Sequence, residues 1–263
     1  MKIGIIGTGA IGGTLAKKLA AAGHDVKVTN ASAEHELANT AARLGVAHAS
    51  LRQVVSGVDV VIVSIPTNAI AELPKDLFSG VPDNVIVVDT SNHYPTRDGE
   101  MNVFNEKLES VWVSEQLGRP VIKAFNNLLA HSLEHSGKAK GEPERVAMAI
   151  SGDDEKARRV ISTLVDDAGF DPVDNGSLSE SWRHQPGMPG YCTELNASEL
   201  KQALVDKDGI KGKGASLRDK SMEIFTGLTA TPTHEEILTI LRSLFPTNPK
   251  QHNAILEKAD SAS

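Results

Sequence analysis

Directly after its first apolar run, residues 2–6, the chain places Gly7, Gly9 and Gly12, followed by a helical repeat in which Ile11, Leu15, Leu19 and Ala22 recur about once per turn. A β-branched run, a sharp turn and an amphipathic helix within so few residues constrain the fold strongly, because the helix must double back onto its own strand. Gly7 permits the tight turn, and Gly12 lets the helix lie close against the strand. Gly9 bares backbone amides at a helix N-terminus, where the partial positive charge of the helix favours an anion.

The pattern continues. Short β-branched runs alternate with helical repeats as far as residue 175, which is the signature of βαβ units and a parallel sheet covered on both faces. Strands are expected at residues 2–6, 25–29, 46–48, 58–64, 84–89, 120–124, 145–151 and 170–174, joined in one sheet. Ala157, Val160, Ile161, Leu164 and Val165 form the apolar stripe of the last helix between them. Beyond Gly176 the β-branched runs stop, and helices are expected at 199–204, 216–225 and 233–244. The expected architecture is α/β: a Rossmann doubly wound, mainly parallel sheet in residues 1–176, with a smaller, mainly α-helical C-terminal part in 177–263. The segment 182–191 is dense in Pro, Gly, aromatic and basic residues, as a pocket wall or junction requires. Residues 206–214 read as a flexible loop and the last ten or so as frayed.

Composition narrows the function classes. With 40% hydrophobic but only 4% aromatic residues, the core must be built from Ala, Val, Ile and Leu, and a disordered chain is excluded. A net charge of -7 argues against a nucleic-acid partner. The lone Cys192 can form no intrachain disulfide, and no Cys/His spacing suits a metal. No window approaches the roughly 18 apolar residues of a membrane span. A reducing cytoplasm is the expected location, with neither export signal nor anchor.

The glycine spacing is the dinucleotide fingerprint, here in its proper strand-to-helix setting. NAD binding normally uses a carboxylate at the end of the second strand to hold the ribose hydroxyls. This chain has Asn30 and Ser32 there and no carboxylate, which removes an electrostatic obstacle to the 2'-phosphate of NADP. Lys17, Lys27 and His35 lie nearby in sequence, and Asn30 and Ser32 could equally cap the next helix. Three further strand tips fall on the same sheet edge, at Ser64-Ile65-Pro66, Asp89 to His93 and Lys123 to Asn127. No Ser-Tyr-Lys set and no paired carboxylates mark a catalytic acid or base. Hydride transfer needs neither, since positioning governs it. Trp182, Arg183, Met188 and Tyr191 are candidate walls or anion contacts for the hydride acceptor. Lys123 and Asn127, four apart, leave open a hydroxyacid dehydrogenase in which they act as proton donor and orienting amide. A non-catalytic NADP sensor is a further alternative.

The sequence also resembles the NADPH-dependent coenzyme F420 reductases and their bacterial relatives, over roughly residues 1–195. The resemblance rests on Gly7 to Gly13, Asn92-His-Tyr-Pro-Thr-Arg-Asp-Gly99, Val121-Ile-Lys-Ala-Phe-Asn126, the helix start at Ile150 to Asp154, and Gly169-Phe-Asp-Pro-Val-Asp174. It implies that Thr8, Ala10 and Ile11 surround the diphosphate and that Asn30 and Ser32 meet the ribose phosphate. By the same resemblance, Ile65 and Pro66 line the ribose side, and Asn92, Ala124, Phe125 and Asn126 border the nicotinamide. The implied acceptor is coenzyme F420, with a flavin or another small molecule left open, and a homodimer is expected from family habit. Ala31 departs from the family, which often carries an arginine there.

Overall fold

The computed structural model describes residues 1–205, 211–245 and 250. The loop expected at 206–214 falls largely outside the described residues, as does the frayed C-terminus. Six short strands form one parallel sheet: β1 (Lys2–Ile6), β2 (Asp25–Thr29), β3 (Ala47–His48), β4 (Val60–Val63), β5 (Ile86–Asp89) and β6 (Val121–Lys123). Their order is β3-β2-β1-β4-β5-β6, so the winding direction reverses between β1 and β4. In such sheets a crevice opens beyond the carboxyl ends of the strands at that reversal.

The helices are α1 (Ala10–Ala21), α2 (Glu34–Leu44), α3 (Leu51–Val54), α4 (Thr67–Ala71), α5 (Pro95–Asp98), α6 (Glu109–Leu117), α7 (Ala130–His135), α8 (Glu155–Asp167), α9 (Ala197–Ala203), α10 (Gly214–Thr226) and α11 (His234–Ser243). Successive strand residues point to opposite faces, and both faces are apolar. Ile3, Ile5 and Ile62 pack with Leu15 and Leu19 of α1, Leu37 of α2, Leu133 of α7 and Ile161 of α8. Ile6, Val61 and Val63 pack with Val54 of α3, Ile70 of α4 and Trp112 and Val113 of α6. Among the described residues no helix is long and apolar enough to cross a membrane, and no three His, Cys, Asp or Glu side chains are grouped to hold a metal ion.

The sheet differs from the sequence expectation in one respect. The last two strands, β7 (Ala147–Ile150) and β8 (Asp171–Asp174), pair in parallel with each other across α8 but form their own two-stranded sheet. A single antiparallel bridge, Lys123 with Ser151, ties them to β6. The cause lies just after β6, where Phe125 adopts φ 60° and turns the chain before a parallel ladder can start. Ala147, Ala149 and Val173 then pack against Leu200 and Ala203 of α9, so the first C-terminal helix covers the small sheet. The helices after Gly176 stand close to where periodicity placed them, with α9 and α11 opened by capping boxes at Asn196 and Thr233.

Beneath the tips of β5 and β6 lies a dry polar cluster. Lys123 and Asp89 are both wholly buried, with Nζ 3.0 Å from Oδ2. The ammonium also donates to the Ser91 carbonyl. Ser110 Oγ of α6 donates to the same carboxylate oxygen at 2.8 Å, while Ser91 gives its amide and hydroxyl to Oδ1. Glu109 accepts the His93 amide at 3.0 Å, and burial pushes its carboxyl up to about 7.

Two tests follow from this cluster. Removing one partner of a buried pair strands the other, so Lys123→Met is expected to destabilise the fold by roughly 3–5 kcal/mol in urea titration. Glu109 has its folded pKa raised above the value of about 4.3 in an unfolded chain. Its contribution is therefore complete below that value and is lost as pH rises through about 7. Glu109→Gln should flatten the fall in stability across this window, and an unchanged pH profile would contradict the assignment.

Candidate functional site

The three glycines of the first turn serve two different ends. Gly7 has φ +105°, and a Cβ there would lie 2.1 Å from the Ser64 carbonyl oxygen. A Cβ on Gly12 would lie 2.1 Å from the Gly7 carbonyl oxygen. Both residues are therefore required by the fold itself, to set the turn and bring α1 onto β1 and the end of β4. A Cβ on Gly9 would have no neighbour within 4 Å. Nothing in the protein needs that side chain to be missing, and α1 has no side-chain cap on its N-terminal amides. Open space over bare amides at a helix N-terminus is a cradle for a diphosphate, so the turn fits the dinucleotide that the fingerprint implies.

From this cradle a cleft of about 330 Å³ runs along the strand tips. Gly9, Ala10 and Ile11 form one wall, Ile65 and Pro66 the next, and Asn92, Phe125, Asn126 and Tyr191 the far end. Nine of the residues marked in the sequence thus converge on one cavity. Gly7 and Gly12 lie buried within the turn beneath it. Thr8, Asn30 and Ser32 form a separate corner: the Asn30 amide donates to Thr8 Oγ1 at 2.7 Å, and Ser32 N donates to Asn30 Oδ1 at 2.9 Å. Lys27 is spoken for, since its ammonium donates to the carbonyls of Gln53 and Ser56.

The far end is held by a network. Asn92 and Asn126 bond reciprocally, Asn126 Nδ2 to Asn92 Oδ1 and Asn92 Nδ2 to the Asn126 carbonyl, each at 3.0 Å. Behind them His184 is fully buried, and the desolvation lowers its pKa to about 3, so the ring is neutral. Its Nδ1 lies 2.9 Å from Asn126 Oδ1, an oxygen that can only accept, so Nδ1 carries the proton. Nε2 then accepts from Ser151 Oγ at 2.9 Å. The Asn126 amide also donates to the His184 carbonyl at 2.8 Å. The two asparagines are thereby fixed in orientation at the cleft surface.

Several sequence expectations are corrected here. Ala124 does not border the cleft: it is wholly buried in the core, because the turn at Phe125 directs it inward. Trp182 and Arg183 lie on a 3-10 turn, Leu178–His184, that packs against α6 and β6. Arg183 donates to Glu180 and to the Leu204 carbonyl, and its guanidinium stacks on Trp182 at 4.6 Å. Both line a small void beside Leu204 instead of the cleft. Met188 lines that void and also a cavity behind Tyr191. Lys123 is sequestered by Asp89 and Ser91, and Asn127 spends its amide on the Gly190 carbonyl at 3.2 Å and the Ala149 N–H at 3.3 Å. Neither lines the cleft, and Lys123 ends a strand, so the hydroxyacid dehydrogenase arrangement is absent.

Ser64, Thr90 and Ser91, from the strand tips marked in the sequence, also line the cleft, as do three residues not proposed as contacts: Tyr94, Arg97 and Cys192. Tyr94 and Arg97 stand within the 92–99 motif and could have been found there. Arg97 is the one cation among the lining residues; it pairs with Asp98 and donates to the Asn92 carbonyl at 2.6 Å. The Tyr94 and Tyr191 hydroxyls are 2.8 Å apart, and burial raises both phenols, so each stays protonated.

Comparison with known proteins shows what the chain is similar to. Residues 2–93 match the family described as NADP oxidoreductase, coenzyme F420-dependent. Over 112 residues the chain is 39% identical to the protein YjhV of Escherichia coli (strain K12), a stretch that covers 43% of this chain and 80% of that one. The crystal structure of the hypothetical protein SMa0349 from Sinorhizobium meliloti superposes with a TM-score of 0.64 at 32% identity, covering 74% of this chain and 95% of that one. A protein of Arthrobacter sp. FB24, provisionally described as an F420-dependent NADP-reductase, superposes with a TM-score of 0.59 over 88% of this chain and 96% of that one. At 21% identity this last likeness shows a shared fold. The chain belongs to the coenzyme F420-dependent NADP oxidoreductase family and is an NADP-dependent oxidoreductase.

Proposed function

We propose that the protein transfers a hydride between NADP(H), lying along the cleft from the glycine turn to Asn126, and a flavin-like or deazaflavin acceptor of the coenzyme F420 type. The observation that carries this reading is Gly9 at the uncapped N-terminus of α1, where a Cβ would meet nothing of the protein and the space is open to a ligand. In this reading the amides of Ala10 and Ile11 donate to the diphosphate at the N-terminus of α1. Thr8, Asn30 and Ser32 form the corner that accepts the ribose phosphate, with no carboxylate on the loop to repel it. Ile65 and Pro66 cover the ribose side, and Asn92 and Asn126, locked by His184, orient the redox end.

When bound, NADPH supplies the hydride, and with it the electron pair. The protein contributes position, exclusion of water and a neutral surface. Among the described residues no carboxylate, histidine or lysine lines the cleft, and the family description supports a ring acceptor that carries its own electronic sink. Arg97, half-exposed at the rim, offers a charge for an anionic group on either partner.

Three measurements bear on this. Gly9→Val should weaken NADPH at least tenfold by calorimetry, about 1.4 kcal/mol, while its melting temperature stays near that of the parent; retained affinity would remove the cradle. NADPH should bind more tightly than NADH, and equal or reversed preference would remove the ribose-phosphate corner. NADPH should be oxidised when FMN, FAD or coenzyme F420 is supplied, and tight binding without turnover of any of them would leave a sensor instead.

A further inference from the structure

Behind the tyrosine pair, next to the cleft, lies a second cavity of about 80 Å³. Tyr94, Leu129, Tyr191 and Cys192 line both spaces, so the two share one wall. The inner walls come from Met188 and from the C-terminal helices, through Met222 and Phe225 of α10 and Ile237 and Leu241 of α11. Among the described residues no charged side chain lines it.

The helices that form this cavity are anchored by directional contacts to the loops of the cleft. Arg218 of α10 donates to the carbonyl of His93, next to Asn92, at 3.3 Å. Arg242 of α11 donates to the carbonyl of Thr193, next to Cys192, at 3.0 Å, and His234 pairs with Glu194 at 3.0 Å. Gly187 has φ +84°, and a Cβ there would lie 2.1 Å from the Gly214 carbonyl oxygen, so α10 starts in contact with that loop. Protein interiors are otherwise close-packed, and an apolar void forfeits contacts on every side. A void held open by anchored helices, with two flexible methionines in its wall, is built to take an occupant.

We propose that this inner cavity is a subsite for the acceptor, taking a short, uncharged, apolar group whose nearest polar atom meets the Tyr94 and Tyr191 hydroxyls, so that α10 and α11 select the acceptor. The inference rests on the redox reading of the cleft and adds the chemistry of the end that enters first. A cavity of ~150 Å³ holds a benzene, so this one accommodates about three non-hydrogen atoms. An acceptor thus inserts an apolar edge inward and leaves its polar tail at the open rim by Arg97.

The probe is acetonitrile, which has three non-hydrogen atoms, one nitrogen to accept from the tyrosine hydroxyls and no hydride to give. With methyl-13C methionine, the full chain carries five reporters: Met1, Met101, Met148, Met188 and Met222. Titration should shift Met188 and Met222 to saturation and leave the other three in place. The same probe should raise KM for FMN or coenzyme F420 at least threefold with KM for NADPH unchanged. Leu241→Trp, which fills the space, should abolish both effects while NADPH affinity stays within twofold. If that variant does not fold, Phe225→Ala should enlarge the cavity and bind cyclohexanol more tightly than the parent does. Unmoved Met188 and Met222 resonances, a uniform shift of all five, or an unaffected acceptor KM would overturn the subsite. Absent NADPH binding would sink the redox reading separately, since the methyl shifts report the cavity alone. Should no acceptor turn over, the subsite requires acetonitrile affinity to change at least twofold on saturation with NADP+, and an unchanged affinity overturns it.

Discussion

The carboxylate of Asp89 holds the working edge of the sheet together. It ends β5, receives Lys123 from the end of β6, accepts Ser110 from α6, and turns its other oxygen to Ser91 on the loop toward Asn92. Two charges with no solvent exposure persist only when their remaining hydrogen-bonding capacity is met by good partners. Here that requirement fixes two strand tips, one helix and one loop relative to each other. The reciprocal Asn92–Asn126 contact spans the same two tips, and its geometry follows from the pair underneath.

The glycine turn supplies the opposite kind of constraint. Gly7 and Gly12 are small because backbone carbonyls occupy the space a side chain would need, whereas Gly9 is small with nothing of the protein beside it. The distinction separates what the fold demands from what a ligand demands, within a motif where sequence spacing treats all three alike. The redox end shows a similar division. His184 never touches the cleft, yet its neutral ring decides which way Asn126 faces.

Much of this was legible before any coordinates. Residues 2–12 specify strand, turn and helix through three sterically distinct positions, and parallel strands put Ile65, Asn92 and Asn126 on one edge by topology alone. Local pattern could not reveal the partner each strand would choose. The runs at 145–151 and 170–174 look like sheet members, but the backbone turn at Phe125 gives them a sheet of their own. Nor could spacing distinguish a catalytic lysine from a structural one, because that depends on Asp89, thirty-four residues earlier in the chain. Trp182 and Arg183 looked like pocket walls by composition, and the 3-10 turn that carries them points elsewhere. The inner cavity was invisible for the same reason: its walls come from segments far apart in sequence and meet only when α10 and α11 dock.

Cys192, the sole sulfhydryl of the chain, sits in the cleft wall with φ +54°, and burial pushes its thiol up to about 12. Because the reactive species is the thiolate, the group is chemically silent at neutral pH. Alkylating reagents and peroxide therefore find no thiolate at Cys192, and the electron traffic proposed for this cleft passes a sulfur that stays inert to it.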